Sequence, residues 1–234
     1  MPLNDVADRL VQTQTRIASA AIRAGRPAES VALVAISKGQ PASAIRELTA
    51  LGQRDFGENY LQEALPKMQA LADLPLTWHF TGQIQSNKTR AISEHFAWVH
   101  TLAREQIATR LNEQRSAHVA PINVCLQVRL ADEEGKGGVT PDALPALAAH
   151  VRALPRLRLR GLMALPPPRE NFDEQKSFFD QLARLQHELI GQGFDLDTLS
   201  MGMSGDLEAA VAAGATQVRI GTALFGERRR ATTD

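Results

Sequence analysis

Short runs of strand-forming residues alternate with stretches of helical apolar spacing from residue 31 onward, and this alternation restricts the fold more than any other feature. Repeated βα units of this kind build parallel sheets that are covered by helices. The strand candidates are Val31 to Ile36, Arg54 to Phe56, Trp78 to Thr81, Trp98 to His100, Ile122 to Val128, Leu157 to Leu162, Thr198 to Ser200 and Gln217 to Ile220. Eight such strands predict a (β/α)8 TIM barrel. An open, doubly wound sheet is the alternative, because periodicity does not show whether a sheet closes.

One further helix is predicted before the first strand, since Val6, Leu10 and Ile17 fall on one helical stripe. We expect this helix to cover one end or one side of the barrel. No linker, low-complexity tract or second domain is evident in the sequence. Residues 1–234 are therefore expected to form a single barrel domain with an extra N-terminal helix.

Composition argues against several classes of function. Twenty-six basic and 26 acidic side chains cancel, which is unusual for a protein whose main partner is a nucleic acid or an acidic membrane. The Arg228 to Arg230 run is short and is expected to be a solvated tail. Cys125, the single cysteine, lies in an apolar run and is expected to fill the core. No stretch has the length of a membrane span or a signal peptide, so we expect a cytosolic protein.

A lysine follows the first strand candidate. Residues Val31 to Ile36 are apolar without alternation, as in a parallel strand that is covered on both faces, and Lys38 comes just after them. An ammonium group gains little hydration there unless it faces a cavity, and desolvation favours the neutral amine. A neutral amine is the nucleophile that forms an imine with an aldehyde. Lys38 is therefore either a site for a carbonyl ligand or a strand-end lysine that reaches solvent.

Polar loops follow the last two strand candidates, at the edge where the active face of a TIM barrel lies. Ser200 to Gly205 is a glycine-bearing loop that leads into a helix, with Ser204 as the candidate N-cap, and Gly221 and Thr222 follow the eighth strand. Free amides at a helix start bind phosphate, and these two loops form the recurrent phosphate site of the fold. The alternative is a simple turn followed by a helix cap.

Two residues within strand candidates also stand out. Arg219 occupies a position where an aliphatic residue is expected, so it requires either a buried carboxylate or an acceptor on a ligand. His79 is either a ligand contact or a core histidine with satisfied hydrogen bonds.

Neither a metal site nor a nucleotide site is predicted. The histidines and the cysteine show no metal-binding spacing, and the glycines match neither the dinucleotide nor the Walker pattern. The roles of Lys88 and Lys136 stay open.

Six motifs, in order along the chain, resemble those of the YggS/PROSC family of pyridoxal phosphate homeostasis proteins, whose fold is similar to the N-terminal barrel of alanine racemase. They are Ala35-Ile36-Ser37-Lys38, Phe56-Gly57-Glu58-Asn59-Tyr60, Trp78-His79-Phe80 with Gln85-Ser86-Asn87-Lys88, Arg160-Gly161-Leu162-Met163, Leu199-Ser200-Met201-Gly202-Met203-Ser204 and Val218-Arg219-Ile220-Gly221-Thr222. The resemblance covers about residues 31–226. It departs from the family pattern at Gly39, Gln40, Thr81 and Gln83.

The resemblance implies that Lys38 holds pyridoxal 5'-phosphate (PLP) as a covalent imine. It implies that the phosphate is contacted by Ser200, Ser204, Gly221 and Thr222. It also implies that Arg219 faces the pyridine nitrogen and that the pocket is lined by Asn59, His79 and Met203. An arginine does not give a proton to this nitrogen at neutral pH, so the ring is a poor electron sink and transamination is disfavoured.

The resemblance further implies a non-catalytic protein that buffers PLP or delivers it to PLP-dependent apoenzymes. A small PLP-dependent amino-acid racemase or lyase is the alternative, with Lys38 as one base and Tyr60 or His79 opposite. In the racemases that this barrel resembles, the second base and the usual dimer contact come from another domain; we expect this protein to lack that domain and to be a monomer. A third possibility is an interaction protein that uses the barrel only as a scaffold.

Overall fold

Eight parallel strands close into a barrel in the computed structural model, which describes residues 6–131 and 137–226. Each strand pairs with its neighbours in sequence, and the first pairs with the last. The strands are β1 (Ala32–Ile36), β2 (Asp55–Glu58), β3 (Thr77–Phe80), β4 (Trp98–Leu102), β5 (Ile122–Gln127), β6 (Leu157–Met163), β7 (Thr198–Ser200) and β8 (Gln217–Ile220). The predicted (β/α)8 barrel is confirmed, and the open sheet is excluded.

Helices connect the strands and cover the outside of the barrel. They are α1 (Val6–Arg23), α2 (Ala42–Ala50), α3 (Leu61–Ala70), α4 (Thr89–His95), α5 (Glu105–Gln114), α6 (Leu144–Arg152), α7 (Phe172–Gly191), α8 (Leu207–Ala212) and α9 (Thr222–Phe225). Short 3-10 turns at Ser86–Lys88 and Pro141–Ala143 precede α4 and α6. The extra helix α1 packs against α2, α8 and α9, so it covers the side of the barrel where the first and last strands meet.

Neighbouring residues of one strand belong to two different apolar clusters. Val99, Val124 and Leu162 belong to the large core, which also contains the buried faces of the helices. Trp98, Cys125 and Met163 form a separate small cluster. Because successive strand residues point to opposite faces, the small cluster lies inside the barrel and the large core lies between the strands and the helices.

Cys125 is fully buried, as the sequence predicts, and burial raises the pKa of its thiol to about 12. This thiol is therefore not a nucleophile at neutral pH. Within the described ranges, no helix combines the length and apolar character needed to cross a membrane. The Arg228 to Arg230 run and Lys136 lie outside the described residues.

Gly161 in β6 allows a close approach between β6 and β7. A Cβ atom at this position would lie 1.7 Å from the backbone oxygen of Thr198 in β7. Gly191, at the end of α7, offers a matched control, since a Cβ there meets no atom within 4 Å.

We expect Gly161→Ala to lower the free energy of unfolding by at least about 2 kcal/mol, because the two strands must separate to accommodate the methyl group. Gly191→Ala should change it by less than about 1 kcal/mol. Urea unfolding of both variants tests this expectation. Equal stability of the two variants would show that the close contact between β6 and β7 is not as described.

Candidate functional site

A cavity of about 520 Å³ opens at the carboxyl ends of the strands. This volume is in the range of small-molecule sites. Its wall includes seven of the nine residues that the sequence analysis singles out, namely Lys38, Asn59, Met203, Ser204, Arg219, Gly221 and Thr222. The remaining lining residues are Ile36, Thr81, Met163, Leu165, Pro166 and Gly205. Closure of the barrel therefore brings together side chains from both ends of the chain.

The other two predicted residues, Ser200 and His79, do not lie on this wall. Both are buried inside the barrel, with 0% and 1% of their surface exposed. Both are hydrogen-bonded to other protein side chains there. A direct contact between either residue and a ligand stays a prediction.

The turn that carries Lys38 is held on both sides of the lysine. Before it, the Ser37 hydroxyl donates a hydrogen bond to Oε1 of Glu58, at 2.6 Å. After it, the Gly39 amide donates to Oε2 of Glu63, at 2.7 Å. Gly39 has a φ of +71°, a left-handed conformation that glycine adopts without strain. The backbone at Lys38 is thus fixed by two carboxylates from β2 and α3.

A buried ion pair lies beneath this turn. Lys67 of α3 donates from Nζ to Oε1 of Glu58 and to the backbone oxygen of Ser37, both at 2.8 Å. The Glu58 side chain is completely buried, and burial raises the pKa of its carboxyl, while the hydrogen bonds from Lys67 and Ser37 oppose that rise. Sequence reasoning placed Glu58 in a motif without a role and did not identify Lys67.

The loops after β7 and β8 form a small polar cradle on the cavity wall. Helix α9 begins at Thr222 with Gly221 as its N-cap, so the amides of Thr222 and Ala223 have no acceptor within the helix, whereas those of Leu224 and Phe225 donate to the backbone oxygen of Gly221. Facing it, Ser204 and Gly205 contribute a hydroxyl and an open stretch of backbone, since a Cβ at Gly205 would meet no atom within 4 Å. The cradle has the donors and the space that an anionic group requires.

One detail of this loop differs from the sequence prediction. Helix α8 begins at Leu207 and its N-cap is Asp206, so the prediction of Ser204 as the N-cap is wrong. The Asp206 carboxylate instead accepts a hydrogen bond from the Met203 amide, at 2.5 Å, and folds the loop back on itself. The backbone oxygen of Ser204 accepts a hydrogen bond from Arg16 of α1, at 2.9 Å.

Arg219 is buried in β8 and reaches the cavity from the barrel interior. Its Nη1 donates to Oγ of Ser200, at 2.7 Å, and its Nη2 donates to the backbone oxygen of Ala164, at 3.1 Å. Within the described residues these acceptors are neutral oxygens, so the carboxylate partner that a buried arginine would favour is absent from its hydrogen bonds. Burial lowers the pKa of the guanidinium to about 10, and it remains a cation at neutral pH.

Ser200 connects Arg219 to a line of buried side chains. Its Oγ lies 2.7 Å from Nδ1 of His100, and Nε2 of His100 lies 2.8 Å from Nδ1 of His79. Nε2 of His79 lies 3.0 Å from Oδ1 of Asp55. Burial lowers the pKa of both imidazoles, and for His100 the charges of His79 and Arg219 lower it further. Sequence reasoning missed His100 and Asp55, although a histidine in each of two adjacent strand candidates was the available indication.

The fold and this cavity define the class of the protein. The family model of the alanine racemase N-terminal domain matches residues 13–229, which includes most of α1. The chain is 57% identical over 226 residues to the pyridoxal phosphate homeostasis protein of Pseudomonas aeruginosa, covering 97% of each chain. It is 50% identical over 229 residues to that of Escherichia coli K12, covering 97% of this chain and 98% of the relative. The chain belongs to the family of pyridoxal phosphate homeostasis proteins, as the six motifs predict.

Solved structures agree with this assignment. PipY of Synechococcus elongatus without PLP superposes with a TM-score of 0.86 at 40% identity, covering 95% of this chain and all of PipY. The structure of PipY with PLP bound gives a TM-score of 0.83 at 41% identity. Alanine racemase of Corynebacterium glutamicum gives 0.68 at 16% identity, which shows a shared fold alone.

The ion pair between Glu58 and Lys67 leads to a pH-dependent prediction. Lys67→Met should lower the free energy of unfolding by about 3–5 kcal/mol near neutral pH, because it leaves a buried carboxylate without its cation. The pKa of Glu58 is already raised by burial and rises further without Lys67, so its carboxyl is protonated more readily in the folded variant. The loss should therefore shrink as the pH falls from about 8 to about 5.

Urea unfolding at several pH values measures this effect. Lys176→Met is the matched control, since Lys176 forms a partly exposed ion pair with Asp180 within α7. Its loss should cost no more than about 1 kcal/mol and should vary little with pH. A loss of stability in Lys67→Met that stays the same between about pH 8 and about pH 5 would contradict the assignment of a buried, charged pair.

Proposed function

We propose that this protein binds PLP at the mouth of the barrel, through a covalent imine on Lys38, and buffers or delivers the cofactor without catalysing a reaction. The observation that carries the proposal is the composition of the cavity wall. An amine, an anion cradle and a guanidinium lie on one cavity, and these are the groups that an aldehyde, a phosphate and a pyridine nitrogen require.

The residues present fit PLP group by group. Nζ of Lys38 would hold the aldehyde carbon of the cofactor through an imine, with the carbonyl oxygen released as water. Ser204, Thr222 and the first amides of α9 would hold the phosphate, and the guanidinium of Arg219 would donate to the ring nitrogen. The structure of PipY with PLP bound, at 41% identity, supports binding of PLP by this fold.

The absence of a second base on the wall supports a non-catalytic role. Among the described residues that line the cavity, Lys38 and Arg219 are the ones with ionisable side chains. Tyr60, a candidate for the opposite base, is 57% exposed and lies off this wall. His79, the other candidate, is hydrogen-bonded inside the barrel. A two-base racemase requires a second group that exchanges a proton opposite the lysine.

The protein acts as a single-domain monomer in the cytosol and supplies PLP to PLP-dependent apoenzymes. Support comes from the balanced charge, from a lone buried cysteine that suits a reducing compartment, and from relatives that are named homeostasis proteins.

Lys38→Ala should abolish the visible absorption band that wild-type protein develops with PLP, because no other lysine lines the described cavity wall. Borohydride reduction of the wild-type complex, followed by peptide mass mapping, should place the modification on Lys38. Lys176→Ala, on the outside of α7, should keep the band and serves as the matched control. Modification of a different lysine in the wild-type protein would refute the assignment.

Exchange of the α-proton distinguishes the carrier from a racemase. In deuterated water, a panel of amino acids incubated with PLP-loaded wild-type protein should show no exchange beyond that produced by free PLP with Lys38→Ala protein. The reason is that an arginine does not protonate the ring nitrogen, so the ring withdraws electrons weakly from the α-carbon and the α-proton is removed slowly. Rapid exchange that depends on Lys38 at low protein concentration would favour the racemase or lyase.

A further inference from the structure

We propose that Ser200, His100, His79 and Asp55 form a positioning chain for Arg219, in which every hydrogen bond is donated in the direction of Asp55. Ser200 thereby acts on the ring-nitrogen side of the site and does not bind the phosphate. The identity of the ligand rests on the function proposed above. The direction of the chain does not, because it follows from protein groups alone.

The positioning chain crosses the interior of the barrel from one wall to the other. Arg219 and Ser200 belong to β8 and β7, whereas His100, His79 and Asp55 belong to β4, β3 and β2. The two histidines and the serine are at most 1% exposed, so water does not supply alternative partners. Asp55 begins its strand, and 40% of its side chain is exposed, so the chain ends at solvent.

The end of the chain at Asp55 determines the direction of each hydrogen bond. An ionised carboxylate only accepts, so Nε2 of His79 carries the proton and its Nδ1 accepts. Nε2 of His100 must therefore donate to His79, and Nδ1 of His100 accepts. The hydroxyl of Ser200 is then the donor to His100.

The end at Arg219 leads to the same direction independently. A guanidinium only donates, so the Ser200 oxygen must accept from Nη1 of Arg219. The hydroxyl proton then has His100 as its acceptor. Because both ends favour one direction, two neutral imidazoles satisfy the whole positioning chain, and each acceptor faces the buried cation. These aligned dipoles add to the charge of the Asp206 carboxylate, which stabilises the Arg219 cation without a hydrogen bond to it in the described structure.

The chain has a consequence for ligand contacts. The single proton of Ser200 is used by His100, so this hydroxyl cannot donate to a phosphate. Two of the five N–H groups of Arg219 are used by Ser200 and Ala164, which leaves others for the cavity that Arg219 lines. Ser204 and Thr222 lie on the wall itself and are the hydroxyls that face a phosphate.

The tautomers of the two histidines test the direction directly, in protein to which no PLP has been added. Long-range proton–nitrogen NMR spectra of ¹⁵N-histidine-labelled protein near neutral pH should show His79 and His100 as neutral rings protonated at Nε2. Assignment uses His79→Gln and His100→Gln variants. A ring protonated at Nδ1, or a doubly protonated ring, would overturn the proposed direction.

Affinities for PLP and for pyridoxal, which lacks the phosphate, test the role of Ser200. Ser200→Ala should weaken binding of both aldehydes by a similar factor of about tenfold, because Arg219 loses a charge-assisted partner. Ser204→Ala should weaken PLP more than pyridoxal. A Ser200→Ala loss that is confined to PLP would assign Ser200 to the phosphate and refute the proposal.

Two further outcomes separate this inference from the proposed function. If wild-type protein binds neither aldehyde, the function proposed above fails, and the NMR spectra still decide the direction of the chain. Asp55→Asn keeps an acceptor for His79 and should keep both tautomers, with a loss of less than about threefold that is equal for the two aldehydes. A change of tautomer in this variant would contradict the proposed direction of the positioning chain.

Discussion

The pairing of β1 with β8 is the contact on which the rest of the molecule depends. Residues Ala32 to Ala35 run beside Gln217 to Ile220, and this register closes the barrel. Lys38 and the start of α9 follow these two strands directly, so closure alone places an amine next to a helix N-terminus. At Gly221 an added Cβ would lie 3.2 Å from the backbone oxygen of Ile36, which shows how closely the two strand ends approach.

Two buried polar systems lie under the cavity and serve different groups on its wall. The ion pair of Glu58 and Lys67 holds the turn that carries Lys38. The interior chain that begins at Ser200 holds Arg219. Buried charges and hydrogen-bond networks seldom stabilise a fold more than apolar packing would, so their presence here is better explained by the site that they orient.

Much of this structure follows from local sequence patterns, and the exceptions share one cause. Apolar runs and helical stripes predict the eight strands and α1, because burial in a parallel barrel leaves a periodic signature. Lys38, Ser204, Gly221 and Thr222 could be found because they follow strands directly. The contacts of His100 and Asp55 with His79, and of Lys67 with Glu58, depend on register between elements, which no local pattern encodes. The hydrogen bonds of Ser200 with His100 and Arg219 inside the barrel depend on the same register, whereas its phosphate contact was implied by the family resemblance and stays a prediction.

A crystal structure of the protein reconstituted with PLP tests the central claim most directly. The account predicts continuous electron density between Nζ of Lys38 and the cofactor, a guanidinium N–H of Arg219 within hydrogen-bonding distance of the ring nitrogen, and the phosphate against Ser204 and Thr222. Cofactor bound to another lysine, or a phosphate bonded to Ser200 in place of Ser204, would contradict it.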